Sequence, residues 1–203
     1  MANHLHHGDL PDGLDLGNII AVDSETMGLN PLRDRLCLVQ LSSGDGNAHL
    51  VQIARTPGDA PNLKALLGNP DVLKLFHFAR FDIAVLYHAF AVMPAPLYCT
   101  KITSKLARTF TGGHGLKDLC KDLLGVDLSK QQQSSDWGAK ALTQEQLDYA
   151  ASDVLYLHAL KEKLDAILVR EKRDGLAGAC FDFLPTRAKL DLRGWAEEDI
   201  FSH

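Results

Sequence analysis

The sequence predicts one α/β domain, a mixed sheet with helices packed against it. Two observations carry that expectation. Short apolar runs rich in β-branched residues crowd the first third, then strand-like and helix-like segments alternate, and helical periodicity dominates the rest. At 203 residues, 46% of them hydrophobic, the chain is long enough for one well-filled core and short for two.

Residues 1–17 are polar and rich in His, Gly and Asp. They read as a loosely ordered tail, although His4, His6 and His7 are imidazoles that can bind metal. NIIAVDS at 18–24, LCLVQLS at 36–42 and HLVQI at 49–53 read as three strands, separated by Gly/Asn/Pro and Ser/Gly/Asp turn formers at hairpin-like spacing. Residues 61–67 read as a short helix that begins on Pro61. A fourth strand is expected over 72–77 and a helix over 79–89, where Phe81, Val85 and Leu86 recur at helical spacing. Leu97–Cys99 is a short fifth strand, followed by helices over 100–109 and 116–124. Thr143 with Gln146 three residues on forms a capping box, from which one long helix is expected to run to about Arg173. Residues 175–203 mix a short helix with an aromatic tail. The expected organisation is a polar segment over 1–17, a domain over 18–175, and a tail over 176–203 that packs on the domain or on a neighbouring subunit.

Composition excludes several classes. No apolar run approaches the roughly 20 residues of a membrane-spanning helix, and no cationic-then-apolar start marks export. Cys37, Cys99, Cys120 and Cys180 form no Cys-x-x-Cys pair, which argues against a zinc site and fits a reducing cytoplasm. The net charge of −5 lacks the basic excess of proteins that grip long nucleic acids. A nucleic-acid ligand would therefore be short and met by a local basic patch.

The carboxylates give the chemistry. Asp23 and Glu25 stand two apart at the end of the first predicted strand, so both face one way. Two buried carboxylates repel unless a cation compensates. Asp82 falls in the first turns of the helix after strand four. Tyr149 and Asp153, four apart, share one helix face. Taken singly, each is a solvated strand end, a favourable helix-start charge, or a surface pair. Together they form an oxygen-rich set that suits magnesium or manganese, and two such ions can clamp a phosphodiester displacement.

The order Asp23-x-Glu25, Asp82, Tyr149-x-x-x-Asp153 resembles the DEDD exonuclease superfamily, in the branch where a tyrosine precedes the last aspartate by four. The sister branch has a histidine five residues before that aspartate, and here Asp148 stands there. His77-Phe78-Ala79-Arg80-Phe81-Asp82, Gly115-Leu116-Lys117-Asp118-Leu119, Gln133-Ser134-Ser135-Asp136-Trp137 and Tyr149–Leu157 narrow the resemblance to the ribonuclease D group. The compact length, the segment Lys130–Trp137 and Phe183-Leu184-Pro185 resemble its nanoRNase C members, short bacterial enzymes that clear RNA dinucleotides. One departure is Phe78, where many relatives have Asn.

The resemblance implies a ribonuclease-H-like fold with a five-stranded mixed sheet, and a metal-dependent 3′→5′ exoribonuclease acting on short RNA such as pGpG. The alternative is a general exonuclease on longer RNA or DNA ends. It implies two divalent cations, Mg2+ or Mn2+, held by Asp23, Glu25, Asp82 and Asp153, with Tyr149 orienting the attacking water. It also implies a homo-oligomeric ring, an octamer. Leu29 is then expected against the terminal bases, where an apolar wedge tolerates any base; spacing alone equally allows a core leucine. Thr26, Met27, His77, Arg80 and Gln133 join the candidate substrate contacts. Lys101, Lys105 and Arg108, at i, i+4 and i+7, form a basic stripe that is either a solvated face or a phosphate contact. Trp137 is read first as a packing anchor and second as a base platform.

Overall fold

The computed structural model describes residues 2–55, 58–129 and 131–203. Its centre is one mixed sheet of six strands: β1 (Asn3–His7), β2 (Ile19–Thr26), β3 (Leu36–Ser42), β4 (Ala48–Gln52), β5 (Leu73–Phe76) and β6 (Leu97–Cys99), in the order β1-β4-β3-β2-β5-β6. The β2–β3 and β3–β4 pairs are antiparallel, as hairpin-length turns dictate. The β2–β5, β5–β6 and β1–β4 pairs are parallel. This is the expected ribonuclease-H-like sheet with one strand more. The sixth strand corrects the reading of residues 1–17 as a loose tail: Asn3–His7 pairs along β4, Asn3 opposite Ala48 and His7 opposite Gln52.

Every residue of β3 is buried. A strand covered on both faces reads as a continuous apolar run, which is why LCLVQLS carries no alternation. On one face lie α1 (Pro61–Gly68), α2 (Ala79–Phe90) and α7 (Asp174–Leu190), whose Leu63, Leu67, Ile83, Leu86, Leu184 and Ala188 join Ile20, Val22 and Val39 of the sheet. On the other lie α4 (Leu116–Leu119) with its π-helical continuation Cys120–Leu124, α5 (Gln144–Leu155) and α6 (Leu157–Arg170). Their Leu119, Ala150, Val154, Leu160 and Leu164 pack on Ala21, Leu38, Leu50 and Leu75. The helix α3 (Thr100–Ala107) leaves β6 directly and packs along α6.

Two helical expectations need correction. The single helix from Thr143 is broken at Tyr156 (φ −105°, ψ −5°), which turns the chain from the sheet, where α5 packs, toward α3, where α6 packs. The predicted capping box holds: Thr143 accepts from Gln146 N–H, and the Gln146 side chain accepts from Thr143 N–H. The expected short C-terminal helix is instead the 17-residue α7, which runs through Pro185. Gly175, Gly178 and Pro185 mask its periodicity, but Ala177, Leu184 and Ala188 are buried and anchor it. The four cysteines are free thiols. No helix among the described residues is long and apolar enough to cross a membrane.

Candidate active site

The end of β2, the start of α2 and the second and third turns of α5 converge on one cleft. Strand alternation places Asp23 and Glu25 on the face that α5 covers, and Asp153 comes down from that helix. Oxygen atoms of Asp23, Glu25 and Asp153 all lie within 4.8 Å of one another. A register shift between Glu25 and Thr26 ends the regular β2–β3 ladder at this point, as bulges beside active sites commonly do.

Asp82 stands behind this trio. It is buried, and its Oδ1 accepts a hydrogen bond of 2.7 Å from the Ser24 hydroxyl. Ser24 points to the opposite face from its neighbours Asp23 and Glu25, toward α2. On β3, Gln40 Nε2 donates to Asp23 Oδ2 at 3.4 Å. Sequence reading missed both positioning groups. The available signal was Gln40 itself, a polar side chain inside a wholly buried strand, which must find a partner.

The electrostatics are those of an uncompensated anionic cluster. Burial first, then Asp82, Asp153 and Glu25, push the Asp23 carboxyl well above its ordinary range. Burial, Asp153 and Asp82 push Glu25 up to about 9. Burial pushes Asp153 up to about 7, and Asp82 also to about 7 although the Ser24 hydroxyl pulls the other way. None of the four has a Lys or Arg ion-pair partner among the described residues. Half-buried carboxylates this close, with no Lys or Arg partner among the described residues, match the oxygen donor set of a hard divalent ion. Burial and the carboxylates of Asp153, Glu25 and Asp23 also push the Tyr149 phenol above its usual value. At neutral pH it is an O–H donor, suited to orienting a group and not to removing a proton.

The cleft has a volume of about 550 Å3. Its lining includes the carboxylates of Asp23, Glu25 and Asp153, the residues Thr26, Met27 and Leu29, and His77, Lys101 and Gln133. Leu29 is 86% exposed, so it is not a core leucine. Its loop is held by the Thr26 hydroxyl, which donates to the Gly28 carbonyl, and by Asp34, which accepts from Asn30 N–H at 3.0 Å. A Cβ on Gly28 would run into the Asp34 carboxylate, so a larger residue there would have to displace the side chain that holds the loop. His77 Nδ1 lies 2.9 Å from the Thr100 hydroxyl, which donates to the Phe76 carbonyl at 3.2 Å. Burial, then Lys101, lowers the His77 pKa to about 3, which makes it a neutral imidazole. Trp137 is 3% exposed, and its ring lies 6.0 Å from that of Tyr149. It is a floor of the cleft and a packing anchor at once. Phe78 adopts a left-handed backbone (φ 71°) at the start of α2. Asn bears that conformation more easily than Phe, which gives the Asn of many relatives a physical reason.

The predicted basic stripe is corrected. Helix α3 ends at Ala107, so Arg108 leaves helical register and folds inward. It is 3% exposed and donates to the Gly113 carbonyl at 3.0 Å and to Asp122 at 2.5 Å. Arg108 is thus a structural clamp. Changing it to Met is expected to remove two strong hydrogen bonds at a cost of about 1–3 kcal/mol. Thermal denaturation should show a lower Tm while KM for a short RNA stays put; a raised KM with unchanged Tm would restore the phosphate role. Arg80 is likewise occupied: it forks onto Asp191 at 2.6 and 2.8 Å and donates to the Ala196 carbonyl, which anchors the C-terminal segment. Lys101 does line the cleft, with its ammonium 4.3 Å from the Phe78 ring centroid. Lys105 borders a neighbouring cavity, shared with Lys101, Cys180 and Phe183.

Comparison with known proteins agrees with this geometry. A family model described as 3′-5′ exonuclease matches residues 12–169. Ribonuclease D of Acidiphilium cryptum is 38% identical over 165 residues, 81% of this chain and 41% of that protein. The chain thus spans about two fifths of the length of the curated relatives it matches. Brucella melitensis NrnC with bound Mg2+ superposes with a TM-score of 0.96 at 55% identity, covering 100% of both chains. NrnC bound to pGG superposes at 0.97 and 56% identity, covering 100% of this chain and 99% of that one. The chain therefore belongs to the 3′–5′ exonuclease family, in its ribonuclease D-like branch.

Proposed function

We propose that this protein is a metal-dependent 3′→5′ exoribonuclease of very short RNA, dinucleotides such as pGpG first among them, releasing nucleoside 5′-monophosphates. The observation that carries the reading is the cleft. It brings a carboxylate cluster and the exposed Leu29 into one cavity of about 550 Å3. A net charge of −5 lacks the basic excess that usually accompanies grip on a long polymer, and the similar NrnC carries pGG in its structure.

Asp23, Glu25, Asp82 and Asp153 would hold two divalent cations, Mg2+ or Mn2+. Such ions, when bound, supply Lewis-acid stabilisation of the charge that develops on phosphoryl oxygens. The chain's own groups do the rest. Ser24 and Gln40 fix the rotamers of Asp82 and Asp23. Tyr149 donates its O–H toward the attacking water. Leu29 separates the bases, and Lys101 meets phosphate charge. Thr26, Met27, His77 and Gln133 border the substrate, with Trp137 beneath it. Self-association is part of the same reading: Val169, Leu176, Trp195 and Phe201 are exposed apolar groups, and light scattering that gives a monomer at micromolar concentration would count against the ring. The four free thiols fit a cytoplasmic setting.

The test is digestion of 5′-labelled RNAs of two to about ten nucleotides with Mg2+ or Mn2+ and an EDTA control. Fast cleavage of the dinucleotide and slow cleavage of longer chains is expected. Even laddering of all lengths would make this a general 3′-end trimmer. Leu29→Ala tests the wedge. It should lower kcat/KM on a dinucleotide about tenfold, the value of one lost apolar contact of about 1.4 kcal/mol, and leave Tm unchanged because the side chain is so exposed.

A further inference from the structure

The histidines of the first strand lie outside the nuclease cleft, and β1 gives them an order. His4 and His6 are two apart on the strand and face the same way. Parallel pairing sets His4 opposite His49 of β4. Leu50, the residue after His49, enters the core under α5, so the three imidazoles occupy the other face of the sheet. There they stand as a group. His6 Nε2 lies 3.1 Å from His49 Nδ1. The His4 ring is stacked on that of His49 with centroids 4.9 Å apart, and the His6 ring centroid is 5.3 Å from that of His49.

We propose that His4, His6 and His49 form a second metal site that takes a nitrogen-preferring transition ion such as Zn2+, Ni2+ or Cu2+. Tetrahedral zinc with Zn–N bonds of about 2.0–2.1 Å sets its ligand nitrogens about 3.3 Å apart. The 3.1 Å between His6 and His49 is a hydrogen bond whose nitrogens now face each other, and it places them at close to that separation. In the neutral rings one of those two nitrogens carries the N–H that the other accepts. Binding moves that proton to the far nitrogen of its own ring and turns the two rings, so that both lone pairs reach one ion with no net loss of a proton. His4 is exposed and free to rotate into the third position. Burial lowers the pKa of both His6 and His49, which keeps them neutral and ready to bind. The donor sets divide the metals: oxygen ligands in the cleft suit hard ions, imidazoles here suit borderline ones. An ion at this site ties the edge strand to its neighbour, so its binding free energy adds to stability.

The test is Cu2+ titration of the full chain in excess Mg2+, read by electron paramagnetic resonance. One Cu2+ per chain with nitrogen coupling is expected. His49→Gln and His4→Ala should each weaken it at least about tenfold, more than loss of an outer-shell partner does, while Asp23→Asn leaves it unmoved. Zn2+ should raise Tm by about 5 °C in the unaltered protein and not in His49→Gln. Oxygen-only coordination, or affinity unchanged in both histidine variants, overturns the site. His4→Ala, at an exposed position, keeps the test valid should His49→Gln fail to fold.

Discussion

Asp23→Asn is expected to lower turnover of a short RNA by at least about 10²–10³-fold, the scale on which loss of one preorganised charge-stabilising group acts. The fold should survive, and in the absence of divalent ions the variant should melt higher than the unaltered protein. Both halves follow from one geometry. Asp23, Glu25 and Asp153 present oxygens within 4.8 Å of one another and lack a cationic partner among the described residues. Removing one charge relieves repulsion in the empty cluster and removes a ligand from the loaded one. Kinetics on a dinucleotide and a melting curve in EDTA check the two halves separately. Undiminished cleavage would end the metal assignment. Lost cleavage with a lower Tm in EDTA would mean that Asp23 is a structural residue.

The second large effect is the coupling of metal, pH and stability. The folded chain holds Glu25 at about 9 against an ordinary 4.5, and Asp82 and Asp153 at about 7 against 3.8. Between the ordinary and the raised values the unfolded chain binds fewer protons than the folded one. Stability without metal is therefore full below about pH 4 as far as these groups decide it, and falls as pH rises toward 7 and then 9. A divalent ion replaces the missing protons. At a concentration 100-fold above its Kd it contributes about 2.7 kcal/mol, which in a chain of this size raises Tm by about 5–10 °C. The rise should be large at pH 8 and small at pH 5, where protons compete for the same oxygens. Scanning fluorimetry with and without Mn2+ at the two pH values measures it. Equal rises would show that the carboxylates are not the ligands.

The candidate site's carboxylates and tyrosine were legible as pairs because each pair obeys a short-range rule. Asp23 and Glu25 share a strand face by their period of two, and Tyr149 and Asp153 a helix face by their spacing of four. What local pattern cannot show is who meets whom across the chain. Ser24 and Asp82 are 58 residues apart in sequence, and no period links them. The Arg108 error has a local cause: α3 stops one residue short, and i+7 means nothing beyond a helix end. Strand β1 was missed because NHLHH has little strand propensity. It is held instead by a parallel partner 45 residues on. The bend at Tyr156 has neither Pro nor Gly to announce it.

That first strand also settles how the sheet meets the solvent. With Asn3–His7 in place, the outer row of N–H and C=O groups on β4 is occupied. Its side-chain anchor is Asn3, which donates to Asp148 at 2.7 Å, one residue before Tyr149. A truncation that removes these residues does more than shorten the chain. It leaves AHLVQ as a bare template for another molecule's strand, the situation in which soluble sheets begin to aggregate, and it frees the start of the helix that carries Tyr149 and Asp153.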